Sequence, residues 1–597
     1  MSSAGPVLAP HALRDYALLA DGERGVLVGP RGDFAWMCFP RWHDDAVFSA
    51  LIGGGSCYTV SPIGRFIWGG HYEDGSLIWR SRWITEGGGI VECREALALP
   101  GRIEQAVVLR RVIAVRGPAR LAVSLAAGAG FDRHGMARLK RSDDGVWTAA
   151  LGEERMRWFG GADAEPGEDG VNGPSLSFEL RLDEGDAHDF VLTLDHGHGA
   201  PDPGAPARLW EATEAGWAER VPSFDEHRLA ARDARHAYAV MSGLTSESGA
   251  MVAAVTTSLP ERADRARNYD YRYAWIRDQA YAGEAVAAAG PYPLLDDAVR
   301  FVGARLLADG PDLMPAYTVA GEPVPEERRI ALPGYPGGAD IAGNRVREQF
   351  QLDSFGETLL LFAAAAGHDR LDGEGWRAAE VAAAAIEARH GQTDAGIWEL
   401  GADRWTHSRL ICAAGLRAIA ATAPGRERGP RWLALADELV ATAAAEGVAR
   451  DSHWRRTSDD DRVDASLLLA QLRGAVPAAD PRSRATLDAV LADLVEDGYC
   501  YRFRAEDLPL GESEGAFLVC GFWLALALAE QGDRESALAV FQRNRTACGT
   551  PGLFAEEFDV GERQLRGNLP QAFVHALLLE SAVRLSADRD GSSPAVG

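Results

Sequence analysis

Apolar residues in the first part of the chain recur at alternate positions between glycine-rich turns. Leu176, Phe178, Leu180 and Leu182 alternate with Ser177, Glu179, Arg181 and Asp183, the period of two that turns one face of a strand inward. Leu77-Ile78-Trp79, Trp83-Ile84, Val107-Val108-Leu109 and Val191-Leu192-Thr193-Leu194 read the same way, with breaks at Gly87-Gly88-Gly89 and between Gly160 and Gly170. Many short strands so spaced predict an antiparallel β-sandwich over residues 1–222. From Ser223 the period changes. Leu295, Val299, Val302 and Leu306 follow i, i+4, i+7, i+11, one face of a helix. Roughly eleven or twelve helix candidates run from there to Leu585, broken at Gly290-Pro291, Gly367, Gly391 and Gly532-Asp533. Those at 514–530 and 408–421 are apolar nearly all round, whereas 534–543 and 430–447 carry charge on one face. Fully buried helices alternating with half-exposed ones are expected of two concentric rings, a toroid of helical hairpins over 223–588, and a stacked helical bundle reads similarly. Residues 589–597 read as a flexible tail.

Composition narrows the chemistry by exclusion. With 61 basic residues against 87 acidic, the formal net charge is −26, which argues against nucleic acid or an anionic membrane as partner. The only lysine is Lys140, in Arg138-Leu139-Lys140-Arg141. That context is neither a phosphate-binding loop nor a convincing Schiff-base site. Seven scattered cysteines without a C-x-x-C pair suit free thiols in a reducing compartment. The first ten residues carry no basic or apolar leader, and the longest apolar stretch, Ala516 to Ala529, is 14 residues, short of a membrane span. A cytoplasmic protein is expected, and a homo-oligomer is compatible with the sequence. His196-x-His198 lacks a third ligand nearby, and Ser458-Asp459-Asp460-Asp461 reads as a charged surface run, so no metal and no cofactor are expected. Motifs for zinc proteolysis, a serine nucleophile elbow or dinucleotide binding are not found. Hydrolysis by paired carboxylates remains.

Three segments place acids beside aromatic residues. Asn268-Tyr269-Asp270-Tyr271-Arg272-Tyr273-Ala274-Trp275-Ile276-Arg277-Asp278 packs three tyrosines, one tryptophan, two arginines and two aspartates into eleven residues. Adjacent Arg and Asp can grip sugar hydroxyls while rings cover the apolar face; the competing reading is an interdomain salt-bridge cluster. Gly396-Ile397-Trp398-Glu399 leads to Trp405-Thr406-His407-Ser408 as a helix start. A carboxyl against tryptophan loses hydration and holds its proton, as a general acid must. Leu553-Phe554-Ala555-Glu556-Glu557-Phe558-Asp559, followed by Gly567-Asn568-Leu569-Pro570-Gln571, offers polar groups that keep one glutamate ionised as a general base. Ordinary loop acids are the alternative for both.

At these segments the chain resembles glycoside hydrolase family 15, the inverting glucoamylase and trehalase-like enzymes, over nearly its whole length. Asp353 and Gly356 fit a Q-x-D-x-x-G pattern, and Asp464-Ala465-Ser466, Glu514-Gly515-Ala516-Phe517 and Gly567-Asn568-Leu569-Pro570-Gln571-Ala572-Phe573 follow in order. The opening, Asp15 to Gly22 and Trp36 to Arg41, is similar to the trehalase-like N-terminal domain of the bacterial branch. The resemblance implies an (α/α)6 toroid behind the sandwich, with Glu399 as general acid and Glu556 as general base. It also implies Tyr271 beside the reacting centre, Arg277 and Asp278 on the hydroxyls of the terminal glucose, and Trp275 and Trp398 among the substrate-binding residues. For an arginine beside the scissile bond the resemblance implies Arg502, with Arg504 as its rival. Departures fall at Ile411-Cys412-Ala413-Ala414-Gly415-Leu416, in place of an aromatic-containing helix, and at Val574, where serine is common. The expected activity is exo-acting, inverting hydrolysis of a small α-glucoside, trehalose ahead of short α-1,4 or α-1,6 oligosaccharides. An inverting pair stands about 6.5–9.5 Å apart. A glycoside phosphorylase or a non-catalytic sugar-binding protein are the alternatives of another class.

Overall fold

The computed structural model describes residues 9–168, 173–197, 204–224, 228–262, 267–422, 428–505 and 508–587. His198 and the tail 589–597 lie outside them. Two eight-stranded antiparallel sheets form the N-terminal unit. One runs in the order Ala17–Ala20, Gly25–Val28, Asp33–Cys38, Cys57–Pro62, Ala119–Ala126, Ser175–Leu182, Glu165–Gly167, with Ala46–Phe48 paired to Asp33–Cys38. The other runs Ala137–Arg141, Trp147–Leu151, Glu154–Phe159, Ala187–Asp195, Gln105–Arg116, Ile90–Leu97, Trp79–Thr85, Phe66–Tyr72. The alternation read from 176–183 holds: Leu176, Leu180 and Leu182 are buried and Ser177, Glu179 and Arg181 exposed. Phe34, Trp79, Trp83 and Trp158 fill the space between the sheets.

Thirteen α-helices follow among the described residues. Helix α1 (Pro206–Arg220) packs on the sandwich. Then come α2 (Ala231–Leu244), α3 (Ile276–Ala289), α4 (Pro293–Asp309), α5 (Asp353–Gly367), α6 (Gly373–Arg389) and α7 (Thr406–Ala421). They continue as α8 (Gly429–Glu446), α9 (Leu469–Leu472), α10 (Pro481–Asp493), α11 (Leu518–Glu530), α12 (Arg534–Arg545) and α13 (Ala572–Ala587). Helix α9 is short but extends the 3-10 turn Ala465–Leu468.

The contacts close a ring. Helix α3 packs on α5, α5 on α7, α7 on α9, α9 on α11, α11 on α13, and α13 on α3. Outside it, α2 packs on α13, α4 and α6 on α5, α8 on α7, α10 on α11, and α12 on α11 and α13. Twelve helices therefore form two concentric rings, as the buried and half-exposed patterns require. Eleven residues of α11 are buried, against three of α12. The apolar run predicted as helix from residue 514 begins its helix only at Leu518. Ala516 and Phe517 instead pair with Phe558 and Glu557 in a small sheet, a buried strand that an apolar run does not distinguish from a helix start.

Sandwich and toroid share one hydrophobic core. The Trp36 indole N–H donates to the Val255 carbonyl (2.7 Å) and the Tyr335 hydroxyl to the His11 carbonyl (2.9 Å).

Candidate active site

A cavity of about 430 Å³ is lined by residues from the segments that enter the inner helices: Gln349 before α5, Glu399 before α7, Phe517 before α11, and Phe573 in the first turn of α13. Tyr281 and Trp523, deeper in α3 and α11, also line it. The N-terminal ends of these helices, with their partial positive charge, thus surround the cavity.

Six of the eight residues singled out from the sequence line this one cavity: Glu399, Glu556, Tyr271, Arg277, Trp398 and Arg502. The other two stand directly behind. Trp275, 2% exposed, donates its indole N–H to Glu399 Oε1 at 2.7 Å. Asp278 is fully buried and pairs with Arg277 (3.1 Å). Burial pushes the Asp278 carboxyl up to about 6, against the pull of Arg277. Arg277 in turn donates to the Ile397 carbonyl (2.6 Å) and approaches Glu399 Oε1 at 3.8 Å.

Glu399 sits on a tight turn. Its φ is +57° and that of Gly396 is +67°, a left-handed conformation uncommon for a glutamate and a mark of functional turns. Only glycine fits at 396, because a Cβ there would lie 2.8–3.0 Å from three atoms of the Trp405 indole. Since Trp275 occupies Oε1, a proton on Glu399 belongs on Oε2. The tryptophan that serves Glu399 is therefore Trp275, from a distant segment, and not the adjacent Trp398. The Trp398 N–H donates to Asp464 (2.8 and 2.9 Å) and its ring meets Phe517 and Trp523.

On the other wall, Tyr271 donates its hydroxyl towards Glu556 Oε2 (3.1 Å). Of the two adjacent acids, Glu556 faces the cavity, while Glu557 Oε2 accepts the Gly515 N–H (2.8 Å). The expected polar surroundings that keep Glu556 ionised are not what the structure builds. Burial, Glu261 and Glu557 push its carboxyl well above the usual glutamate range, with Arg502 pulling the other way. Glu399, expected to lose hydration against tryptophan, is only partly buried, whereas Glu556 is buried. The cause is the convergence of three acids, at 261, 556 and 557, in one buried corner.

Arg502 holds its place in the wall through Glu514 (2.5 and 3.2 Å) and lies 4.5 Å from the Phe517 ring centre. Arg504 instead donates to the Asp493 carbonyl (3.0 Å) and does not line the cavity. The residues of the 268–278 segment diverge between the cavity wall and an ion pair against the sandwich. Tyr269 and Tyr271 stack (6.1 Å, 7°) at the cavity. Asp270 and Arg272 form a buried ion pair (2.8 Å), and Arg272 reaches into the sandwich to donate to the Asp44 carbonyl (2.7 Å).

Sequence reasoning missed Glu261, Arg267 and the stacking position of Tyr269, all in the cavity wall. Glu514 was noticed only as part of a pattern. Elsewhere, Asp460 pairs with Arg456 and Arg462, and Asp461 with Arg455, so that acidic run is a salt-bridged turn. His196 contacts Glu154 (2.9 Å). Among the described residues, no group of three or more His, Cys, Asp or Glu side chains could hold a metal, and no helix is long and apolar enough to cross a membrane.

A closed double ring of helices, with a carboxylate on each of two walls and arginines and aromatic rings between, has the form of a glycosidase. The comparisons place it: the chain belongs to glycosyl hydrolases family 15, matched over residues 235–583, and is a glycoside hydrolase. Residues 9–169 match the trehalase-like N-terminal family. A trehalase of Mycolicibacterium smegmatis is 30% identical over 100% of this chain and 94% of its own. A trehalase of Mycobacterium tuberculosis is 30% identical over 98% and 91%, and trehalase 1 of Sulfolobus acidocaldarius 26% identical over 95% and 98%. A bacterial glucoamylase solved with acarbose shares the fold, with a TM-score of 0.69, 12% identity, and 98% and 96% of the two chains covered.

Proposed function

We propose that the protein is an inverting α-glucoside hydrolase whose substrate is trehalose, acting in the cytoplasm. Glu399 protonates the glycosidic oxygen, and Glu556 deprotonates a water that attacks the anomeric carbon from the opposite face. Arg277, backed by Asp278, binds hydroxyls of the attacked glucose, Tyr271 orients Glu556, and Arg502 with Trp398 flanks the bond that breaks. The observation that carries this reading is the pair of glutamates in one cavity, each held by an aromatic donor, Trp275 for Glu399 and Tyr271 for Glu556. The cavity volume, about 430 Å³, is near the small end for ligand pockets and suits a disaccharide. The full-length similarity to trehalases of bacteria and an archaeon supports the same substrate. The shared fold with a glucoamylase keeps short α-glucan oligosaccharides as the second reading.

The test is incubation with trehalose, maltose, isomaltose and maltotriose, with the anomers of released glucose followed by NMR before mutarotation. Inverting cleavage of trehalose gives one β-glucose from the attacked ring and one α-glucose as leaving group. Two α-glucoses would refute inversion. Release from maltotriose but not trehalose would decide for the second reading, and phosphate-dependent glucose 1-phosphate for a phosphorylase.

A further inference from the structure

Glu261 is 3% exposed and lines the cavity beside Glu556. Its segment is fixed from two sides: the Pro260 carbonyl accepts the Gly567 N–H (2.9 Å), and the Glu261 N–H donates to the Arg267 carbonyl (3.1 Å). The Tyr271 hydroxyl oxygen lies 3.3 Å from Glu261 Oε1, 3.3 Å from Glu556 Oε1 and 3.1 Å from Glu556 Oε2. A hydroxyl has one proton, and it cannot donate fully to two carboxylates. One proton held between the two buried carboxylates satisfies both around this hydroxyl and relieves their mutual repulsion.

We propose that Glu261 is a positioning residue that shares one proton with Glu556 around the Tyr271 hydroxyl, and that this proton sets the pH below which the enzyme loses its base. The inference rests on Glu556 being that base. Arg267 Nε lies 3.2 Å from Glu261 Oε2, which favours the ionised form of Glu261 and leaves the shared proton on Glu556 at rest. Other charged or titratable groups face the pair. Arg267 also binds Glu514 (3.0 Å), which binds Arg502; Glu557 adjoins Glu556; Tyr269 stacks on Tyr271; and Glu399 lines the same cavity. Burial pushes the Glu261 and Glu556 carboxyls upward; Glu261 pushes Glu556 up further, whereas Arg267, Arg502 and the hydrogen bond with Glu556 pull Glu261 back down. Glu514, although buried, is held below the usual range by Arg502 and Arg267, so it stays ionised and does not take the proton. The enzyme becomes competent when the shared proton leaves to solvent. Glu556 can then accept one proton from the attacking water.

The sign follows. A base with a raised pKa is lost as pH falls through the raised value, and removing the neighbouring negative charge lowers that value. In Glu261→Gln, the acidic limb of kcat/KM against pH is expected to move down by at least about one pH unit. In Glu261→Asp, which keeps the charge, the limb stays above that of the Gln variant. A uniform loss of rate with an unmoved limb would show a merely structural role and overturn the proposal. A wild-type limb at or below the ordinary glutamate value of about 4.3 overturns it whatever the variants do. NMR of glutamate ¹³C-carboxyls supplies a readout without turnover. One high-pH titration should move down in Glu261→Gln and be absent in Glu556→Gln, and its persistence unmoved in either refutes the shared proton. A protein that shows this signal yet cleaves no α-glucoside would sink the functional reading alone.

Discussion

Trp275→Phe is the sharpest probe of the acid side. The substitution keeps a ring against Tyr271, whose centre lies 5.5 Å away, and removes the N–H that Glu399 Oε1 accepts at 2.7 Å. In the proposed mechanism Glu399 gives its proton to the leaving oxygen, and negative charge develops on the carboxyl that this N–H holds. A hydrogen bond to a charged group contributes about 1.5–3 kcal/mol. At about 1.36 kcal/mol per tenfold, kcat should fall by roughly 10- to 150-fold. KM should change little, because Trp275 does not line the cavity. The assay compares the preferred α-glucoside with α-glucosyl fluoride, whose leaving group needs little protonation. On the fluoride the loss should shrink to within about threefold, since proton donation by Glu399 is then of small benefit. Equal losses on both substrates would refute the argument, showing that Trp275 acts by packing alone.

Gly396→Ala puts a Cβ against the Trp405 indole at φ +67°. It should destabilise by about 2–4 kcal/mol in urea unfolding and lower kcat at least about tenfold, because Glu399 is carried on the same turn. A variant as stable and active as wild type would contradict this account of the turn. Arg272→Met leaves Asp270 buried without its guanidinium partner. A loss of about 3–5 kcal/mol is expected in the first unfolding transition, and one under about 1 kcal/mol would exclude a structural role for the pair. Glu580 is held down to about 2 by Arg473 and Arg584, which outweigh its burial. A depressed carboxyl stabilises above the unfolded value of about 4.3 and loses that contribution as pH falls towards 2. The contribution is on the order of 3 kcal/mol, so Glu580→Gln should flatten the stability–pH curve between those values, and an unchanged slope would refute it.

Much of the fold was legible because burial imposes a period. Leu295, Val299, Val302 and Leu306 are all buried on one face of α4, and the twelve helices of the two rings agree with the roughly eleven or twelve candidates in the pattern. The candidate acids were legible through their motifs, and the structure brings Glu399 and Glu556 to one cavity. Glu261 was not legible. Ser258-Leu259-Pro260-Glu261-Arg262 has the texture of a surface loop, and nothing local shows that Pro260 bonds to Gly567, some three hundred residues on. Nor could local sequence show that Trp275 rather than Trp398 serves Glu399. Adjacency favours the wrong ring, because the turn that brings Glu399 into the cavity sends the Trp398 N–H to Asp464. Pairwise reasoning on one segment fails where the partner arrives from another.

The same limit explains why the sandwich matters to a site it does not line. The stretch from Tyr269 to Trp275 lies extended against residues 253–258, with Ala253, Ala254 and Ser258 N–H groups donating to the carbonyls of Tyr273, Tyr271 and Tyr269. Along it, Tyr269 and Tyr271 reach the cavity, while Asp270 and Arg272 lock to each other. Arg272 then donates to the Asp44 carbonyl and to Cys38 Sγ (3.3 Å), both in the sandwich. A fully buried arginine needs every one of these acceptors, since an unpaired buried charge costs several kcal/mol. The sandwich therefore supplies the acceptors that keep Arg272 where it is, and through the shared backbone it fixes the rings that hold Glu556 and Glu399. A toroid deprived of the sandwich would retain both glutamates and their donors Tyr271 and Trp275, but would lose the acceptors at Asp44 and Cys38 that hold Arg272 between those two rings.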